Sequence, residues 1–239
     1  MTADAAAAVE QGLRGGLVVV PAAPALVDME RNVAYRDALL GADLAITDSG
    51  LMVLLWRIFK REKIARVSGL EYLRLLLAEP GLHLPGAVAW VMPTVAARDR
   101  LLSRMGSTGA PVAANDCYLA PFYPDGELGD PALLAWIQQR HPTHVIIGLG
   151  GGVQERLGHF LKCSLDYRPG IHCVGAAIGF LTGDQVHIPM WADYLFLGWF
   201  FRCLHEPRKF IPRYWRARRL IPLMWRYGAN LPPLVTSRE

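Results

Sequence analysis

The chain has 239 residues, 52% of them hydrophobic and only 19% charged. That composition excludes a disordered, low-complexity or collagen-like chain. The formal net charge of +4 is unevenly placed: between Trp199 and Arg226 eight cations (Arg202, Arg208, Lys209, Arg213, Arg216, Arg218, Arg219 and Arg226) face one acid, Glu206, so this stretch carries +7 and the remainder −3. The length suits one domain with a large core plus a smaller addition. We divide it into a slightly acidic body, residues 1–200, and a basic, aromatic appendage, residues 201–239.

Short β-branched runs alternate with longer amphipathic stretches through the body. Strands are predicted at Leu17–Val20, Leu44–Thr47, Ile64–Val67, Ala87–Met92, Pro111–Ala114, His144–Gly148 and Ile171–Gly175, several of them apolar on both faces. Helices are predicted at Pro24–Leu40, Gly50–Arg61, Gly69–Glu79, Thr94–Met105, Pro131–Arg140 and Val153–Lys162. The alternation predicts an α/β sandwich with a mainly parallel sheet, in which ligands sit beyond the carboxyl ends of the strands. The loop Asp116–Pro131 is the longest and is placed to form a flap over that edge. Beyond Gly183 a helix is expected over roughly Met190–His205, then a break at Pro207 and a basic helical tail interrupted by Pro212 and Pro222.

The N-terminal MTADAAAAVEQGLRGG carries Asp4 and Glu10 and lacks a basic start and an apolar core, so it does not read as a signal peptide. No apolar run approaches the length needed to span a bilayer. Cys117, Cys163, Cys173 and Cys203 form no C-x-x-C pair, which argues against a disulfide framework and a zinc site. The expected location is the cytoplasm.

Four features carry chemistry. Asp48 follows a buried strand and precedes Ser49-Gly50 and a helix, where it can serve as general base towards a hydroxyl or as the cap of that helix. Gly148-Leu149-Gly150-Gly151-Gly152-Val153-Gln154-Glu155 runs from strand to helix; its glycines and free amides suit close approach of a diphosphate, or simply a tight turn in which Gln154 and Glu155 offset the helix dipole. It lacks the third glycine of the dinucleotide fingerprint and a Walker lysine. Gly175, in the small-residue segment Val174–Gly183, marks another strand end, which suits either the ligand edge or a packed glycine turn. The tail interleaves arginines with Trp, Tyr and Phe, a pattern that fits an anionic membrane surface or a lipid-linked diphosphate. Nucleic acid would be attracted to the same charge but is not the expected partner.

Together these segments resemble the WecG/TagA/CpsF glycosyltransferase family, glycosyltransferase family 26, in order and spacing from about Leu17 to Trp215. Ala42-Asp43-Leu44 with Asp48 is similar to "aD…DG"; Arg66-Val67-Ser68-Gly69-Leu70-Glu71-Tyr72-Leu73 to "R-V-x-G-x-D-L"; and Gly148–Glu155 to "G-x-G-x-P-K-Q-E". Val174-Gly175, Thr182-Gly183 and Pro189 follow "V-G…x-G…A-P". Leu197, Trp199, Arg202, Glu206-Pro207-Arg208 and Arg213 follow "L-E-W-x-x-R…P-x-R…R".

The resemblance implies a Rossmann-like domain and an inverting, metal-independent transfer of a hexosyl or N-acetylhexosaminyl unit. The sugar would pass from a UDP-sugar to a polyprenyl-diphosphate-linked sugar in bacterial envelope or exopolysaccharide synthesis. Asp48 would be the base. Arg66, Gly69, Gly148, Gly150, Gly151, Gln154, Glu155 and Gly175, with Arg202, Arg208 and Arg213 of the tail, would bind substrate, and no cofactor or metal is implied. The appendage would dock on the inner face of the cell membrane, and homo-oligomerisation is compatible with the pattern. Removing residues beyond about Leu204 is then expected to give a more soluble chain that loses liposome association and transfer.

This sequence departs from the family pattern where Val20-Pro21-Ala22 replaces "T-x-N", Ser49 replaces a glycine, Gly152-Val153 replaces "P-K", and Gly179 and Gly198 replace acidic residues. By this resemblance the phosphate-handling and basic positions survive better than the sugar-facing polar ones. That points to a changed donor or acceptor, or to a catalytically silent member that binds a nucleotide-sugar or lipid-linked precursor as an assembly partner.

Overall fold

The structure, a computed structural model, describes residues 4–107, 112–126, 128–175, 177–181 and 203–235. Its centre is a six-stranded sheet of β1 (Gly16–Val19), β2 (Leu44–Ala45), β3 (Val88–Met92), β4 (Cys117–Leu119), β5 (His144–Ile147) and β6 (Gly170–Cys173), in the order β2-β1-β6-β5-β3-β4. Every pairing is parallel. The α/β expectation therefore holds, and the arrangement is Rossmann-like.

Alternation along the strands explains the layers, because successive side chains point to opposite faces. Val18, Val88, Trp90, Met92 and Ile146 face one side, with α1 (Ala5–Leu13), α5 (Gly69–Leu77) and α6 (Val95–Ser107) contributing Val9, Leu73 and Leu101. Leu17, Val19, Val91, Val145 and Ile147 face the other, against Leu133 and Ile137 of α7 (Pro131–Arg140) and Leu157 and Leu161 of α8 (Val153–Ser164). A short helix, α9 (Ala177–Leu181), follows β6.

Several boundaries differ from expectation. The alanine-rich N-terminus forms α1, started by Asp4, whose side chain accepts the Ala7 N–H at 2.8 Å. The predicted helix over 24–40 is two, α2 (Ala23–Leu26) and α3 (Val33–Leu40), because Asn32 caps a fresh start by accepting the Tyr35 N–H. Ile64–Val67 is not a strand: the Ala65 carbonyl accepts the Thr47 hydroxyl at 2.6 Å and Arg66 turns back onto Asp48, which leaves no ladder. Of the strand expected at Pro111–Ala114, Pro111 lies outside the described residues, 112–113 are not in a strand, and a 3-10 turn at Ala114–Asp116 leads into β4, which takes up the first residues of the expected long loop.

The described part of the tail is helical as far as Tyr227, with residues 203–205, then α10 (Pro207–Ala217) and α11 (Leu220–Tyr227), and non-helical over 228–235. Pro212 and Pro222 lie within these helices and the break falls at Arg218-Arg219. Pro222 sits in the first turn, where its missing N–H costs nothing. Ala217, Leu220 and Met224 join Ala23, Leu26 and Val27 of the α2 segment and Leu55 of α4 (Gly50–Lys60) in a third apolar cluster. Arg216 pairs with Asp28, and Arg219 with Glu30 at 2.8 Å. Among the described residues no helix is long and apolar enough to cross a membrane.

Candidate active site

From β3 the chain moves outward to β4, whereas from β5 it moves the opposite way to β6, so a crevice opens between β3 and β5 at their carboxyl ends. A cavity of about 430 Å³ lies there, lined by Pro93 and Thr94 after β3, Arg100 of α6, Gly148 and Gly150 after β5, and Gly175 after β6. Thr94 also starts α6 by accepting the Ala97 N–H at 3.1 Å.

Asp48 stands on the same edge, beyond β2. It does not cap the helix that follows it, since the cap of α4 is Ser49, whose Oγ accepts the Met52 N–H. Asp48 Oδ1 instead accepts the N–H of Gly69, the first residue of α5, at 3.1 Å. The residue before α5, Ser68, makes no side-chain cap, so Asp48 fills that role across the fold. Arg66 donates from Nε to the Asp48 carbonyl at 3.0 Å and places a guanidinium nitrogen 3.9 Å from Oδ1. The Asp48 side chain remains 36% exposed. Glycine at 69 relieves a close approach, because a Cβ there would lie 2.9 Å from Val20 Cγ1 and one of the two would have to shift. Three expected site residues, Asp48, Arg66 and Gly69, thus form one unit.

Asp43, the earlier aspartate of the same segment, lies at the opposite end of the strands. Its carboxylate accepts the Leu17 N–H at 2.7 Å and pairs with Lys162 at 2.7 Å and Arg168 at 2.9 Å. Partial burial pushes its pKa up, yet the Lys162 hydrogen bond, the Leu17 amide and the two cations together hold it below its ordinary value. Asp43 ties the sheet together and leaves the carboxyl edge to Asp48.

The glycine-rich turn after β5 is supported from beneath. Gly152 caps α8 with φ +91°, a conformation that favours glycine, and its N–H donates to Glu155 Oε2 at 2.6 Å. Glu155 is fully buried and also accepts from Gln154 Nε2 at 3.0 Å. Burial drives its pKa up, opposed by the Gln154 amide, backbone N–H donors and Arg156. Glu155 therefore acts through the loop. Gln154 lies under Gly175, where a Cβ would come within 2.9 Å of Gln154 Oε1. That oxygen is buried and has no hydrogen-bond partner among the described residues. Gly148, Gly150 and Gly151 form the turn above, with Gly151 close to Ala25 of α2.

Arg156 was not distinguished in the sequence, although it follows Gln154-Glu155 directly. It donates to the Gly152 carbonyl at 2.9 Å, to Pro124 O at 3.2 Å and to Gly126 O, fastening the loop after β4 to the glycine turn. The Tyr118 and Tyr123 hydroxyls donate to Asp130 at 3.1 and 2.6 Å. Burial and the adjacent carboxylate push both phenol pKa values up. The expected flap is thus pinned at both of its ends.

Helix α5 is pinned as well. Tyr72 Oη lies 2.7 Å from His172 Nδ1, and His172 Nε2 lies 3.1 Å from His144 Nδ1, a buried chain reaching from α5 to β6 and β5. Burial holds His172 neutral, its pKa lowered to about 3 with His144 adding to the effect. No motif announced this chain; only the fold brings its members together.

Of the tail arginines, Arg208 and Arg213 are exposed on α10, whereas Arg202 lies outside the described residues, as do Thr182, Gly183, Pro189, Leu197 and Trp199. The comparison with curated proteins gave no match. The model of the WecG/TagA/CpsF glycosyl transferase family matches residues 1–232, and the chain belongs to that family.

Proposed function

We propose that the chain is an inverting glycosyltransferase that moves a sugar from a UDP-sugar to a polyprenyl-diphosphate-linked sugar at the inner face of the bacterial cell membrane. The observation that carries this reading is the placement of the open Asp48 carboxylate on the same sheet edge as the glycine turn and the 430 Å³ cavity. Family membership supports the transferase chemistry.

In this reading the donor diphosphate lies over Gly148–Gly152, where glycines allow close backbone approach and the start of α8 favours negative charge. The unpartnered Gln154 oxygen under Gly175 offers an acceptor to a donor group of the bound nucleotide. Asp48 removes the proton from the acceptor hydroxyl as its oxygen bonds to the anomeric carbon. The bond from that carbon to the diphosphate oxygen breaks on the opposite face, and UDP leaves with the electron pair. Backbone amides, with Arg202, Arg208 and Arg213 of the tail, stabilise the leaving charge. Arg66 acts as a positioning residue through its contact with Asp48.

The test is a screen of UDP-sugars against a short-chain lipid-diphosphate sugar, read as release of UDP and formation of the glycosylated lipid. Transfer with any donor supports the proposal. Binding of a UDP-sugar without transfer from any donor would instead favour the silent member.

A further inference from the structure

We infer that the exposed face of α4 is a docking surface for an anionic phospholipid bilayer, additional to the tail; this rests on the lipid-linked acceptor proposed above. Helix α4 buries Val53 and Leu55. Its exposed residues Leu54, Arg57 and Ile58 recur at helical spacing and form one outward stripe, and Arg61, the left-handed cap just past its end, is exposed as well. Leu54 is 43% and Ile58 58% exposed, two large apolar side chains one turn apart.

Single apolar residues on a surface need no explanation. The helix packed beside α4 carries exposed apolar side chains of its own. Leu55 of α4 shares an apolar cluster with Leu220 and Met224 of α11, and the Lys60 stem lies against Gly228 at the end of α11. Helix α11 presents Ile221, 42% exposed, and Trp225, 74% exposed.

Charge selects the occupant. Arg57, Lys60, Arg61 and Lys63 are exposed around the carboxyl end of α4, against the single acid Glu62, whose carboxylate accepts from Trp56 Nε1 at 3.3 Å. Protein interfaces are depleted in lysine at their cores. An apolar stripe edged by Lys and Arg with an adjacent tryptophan is the pattern of a surface lying in the headgroup layer of an anionic leaflet. At about 1.5 Å per residue, 11 residues are far too few to span. The helix lies flat. Because Ser49, the cap of α4, directly follows Asp48, docking this face sets the height of the base above the headgroups, where a lipid-linked acceptor presents its hydroxyl.

The experiment compares the full chain with Leu54→Glu/Ile58→Glu and with Trp215→Glu/Trp225→Glu, by sedimentation with phosphatidylglycerol/phosphatidylcholine vesicles and with phosphatidylcholine alone. Circular dichroism checks folding, and Arg57→Glu/Arg61→Glu, which keeps the apolar stripe, is the second α4 variant. We expect both α4 variants to bind the anionic vesicles about tenfold or more weakly, and UDP release with a water-soluble acceptor to be unchanged. Wild-type binding by both α4 variants overturns the inference. If the tail variant alone loses the vesicles, docking belongs to the tail and the proposed transfer stands. Absence of vesicle binding by the unmodified chain overturns the inference, while turnover of the soluble acceptor still decides the transfer reaction separately. A dimer that forms without lipid and that Leu54→Glu/Ile58→Glu dissociates would assign the face to a second copy and also overturn the inference.

Discussion

Asp48 Oδ1 accepts the Gly69 N–H at 3.1 Å, so the carboxylate proposed as base also closes the open end of a helix 21 residues further along the chain. The two roles can be separated by substitution. Asp48→Asn keeps an oxygen for the Gly69 amide but has little basicity. Transfer should fall by about 10²–10⁴, with UDP affinity and thermal stability close to wild type by calorimetry. Asp48→Ala should lose the same activity and also stability, since it leaves the α5 amide open. Retention of the full rate in Asp48→Asn would leave Asp48 as a cap only.

Gly69→Ala tests the contact from the other side. Its new Cβ would meet Val20 Cγ1 at 2.9 Å, and relief requires α5 to move away from β1, drawing the amide off Asp48. The expected cost is about 1–3 kcal/mol in chemical denaturation, together with a reduced kcat. Val20→Ala in the same chain should restore much of both. Additive effects of the two substitutions would show that the contact is not coupled.

The chain Tyr72–His172–His144 predicts a pH dependence of stability. Native His172 remains neutral down to about pH 3, whereas its ordinary pKa is 6.5. Below 6.5 the unfolded chain therefore binds a proton that the native chain refuses, and stability falls as pH drops through the window from 6.5 to about 3. His172→Gln should flatten the difference between urea midpoints measured at pH 7.5 and pH 4. Tyr72→Phe leaves His172 Nδ1 without its hydrogen-bond partner and should cost about 1–3 kcal/mol at neutral pH. An unchanged pH slope in His172→Gln would place the proton uptake elsewhere.

Truncation after Leu204 now carries the opposite expectation from the one composition suggested. The tail covers Ala23, Leu26, Val27 and Leu55 with Ala217, Leu220 and Met224, and its Arg216 and Arg219 pair with Asp28 and Glu30. Removing it bares an apolar surface and two acids, so the truncated chain should be less soluble and more prone to aggregate, as static light scattering would show. Greater solubility would mean that the apolar cluster is not formed in solution.

The sheet was legible because a parallel strand buried on both faces leaves an uninterrupted β-branched run, as in Leu17-Val18-Val19 and His144-Val145-Ile146-Ile147. Capping chemistry was harder to read. Asn32 is a start signal inside an apparently continuous helix, and Ser49 takes the cap that Asp48 was a candidate for, since both types suit the position. Asp43 and Asp48, five residues apart, were separable because the strand between them runs from one to the other, so Asp43 lies at the entry of the sheet and Asp48 beyond its exit. Arg156 and His172 were silent because their partners are distant in sequence: Gly126 lies 30 residues from the first and Tyr72 100 from the second.

Strand β2 is only two residues long, Leu44–Ala45, and the chain leaves the sheet before it reaches Thr47 and Asp48. The sheet therefore does not hold the proposed base in place. What holds it is the first amide of α5 and the Arg66 side chain, so partial opening of one helical turn would release the carboxylate while every strand stayed paired. Hydrogen exchange at the Gly69 amide is then a direct clock of how often the Asp48–Gly69 contact comes apart, running independently of global unfolding.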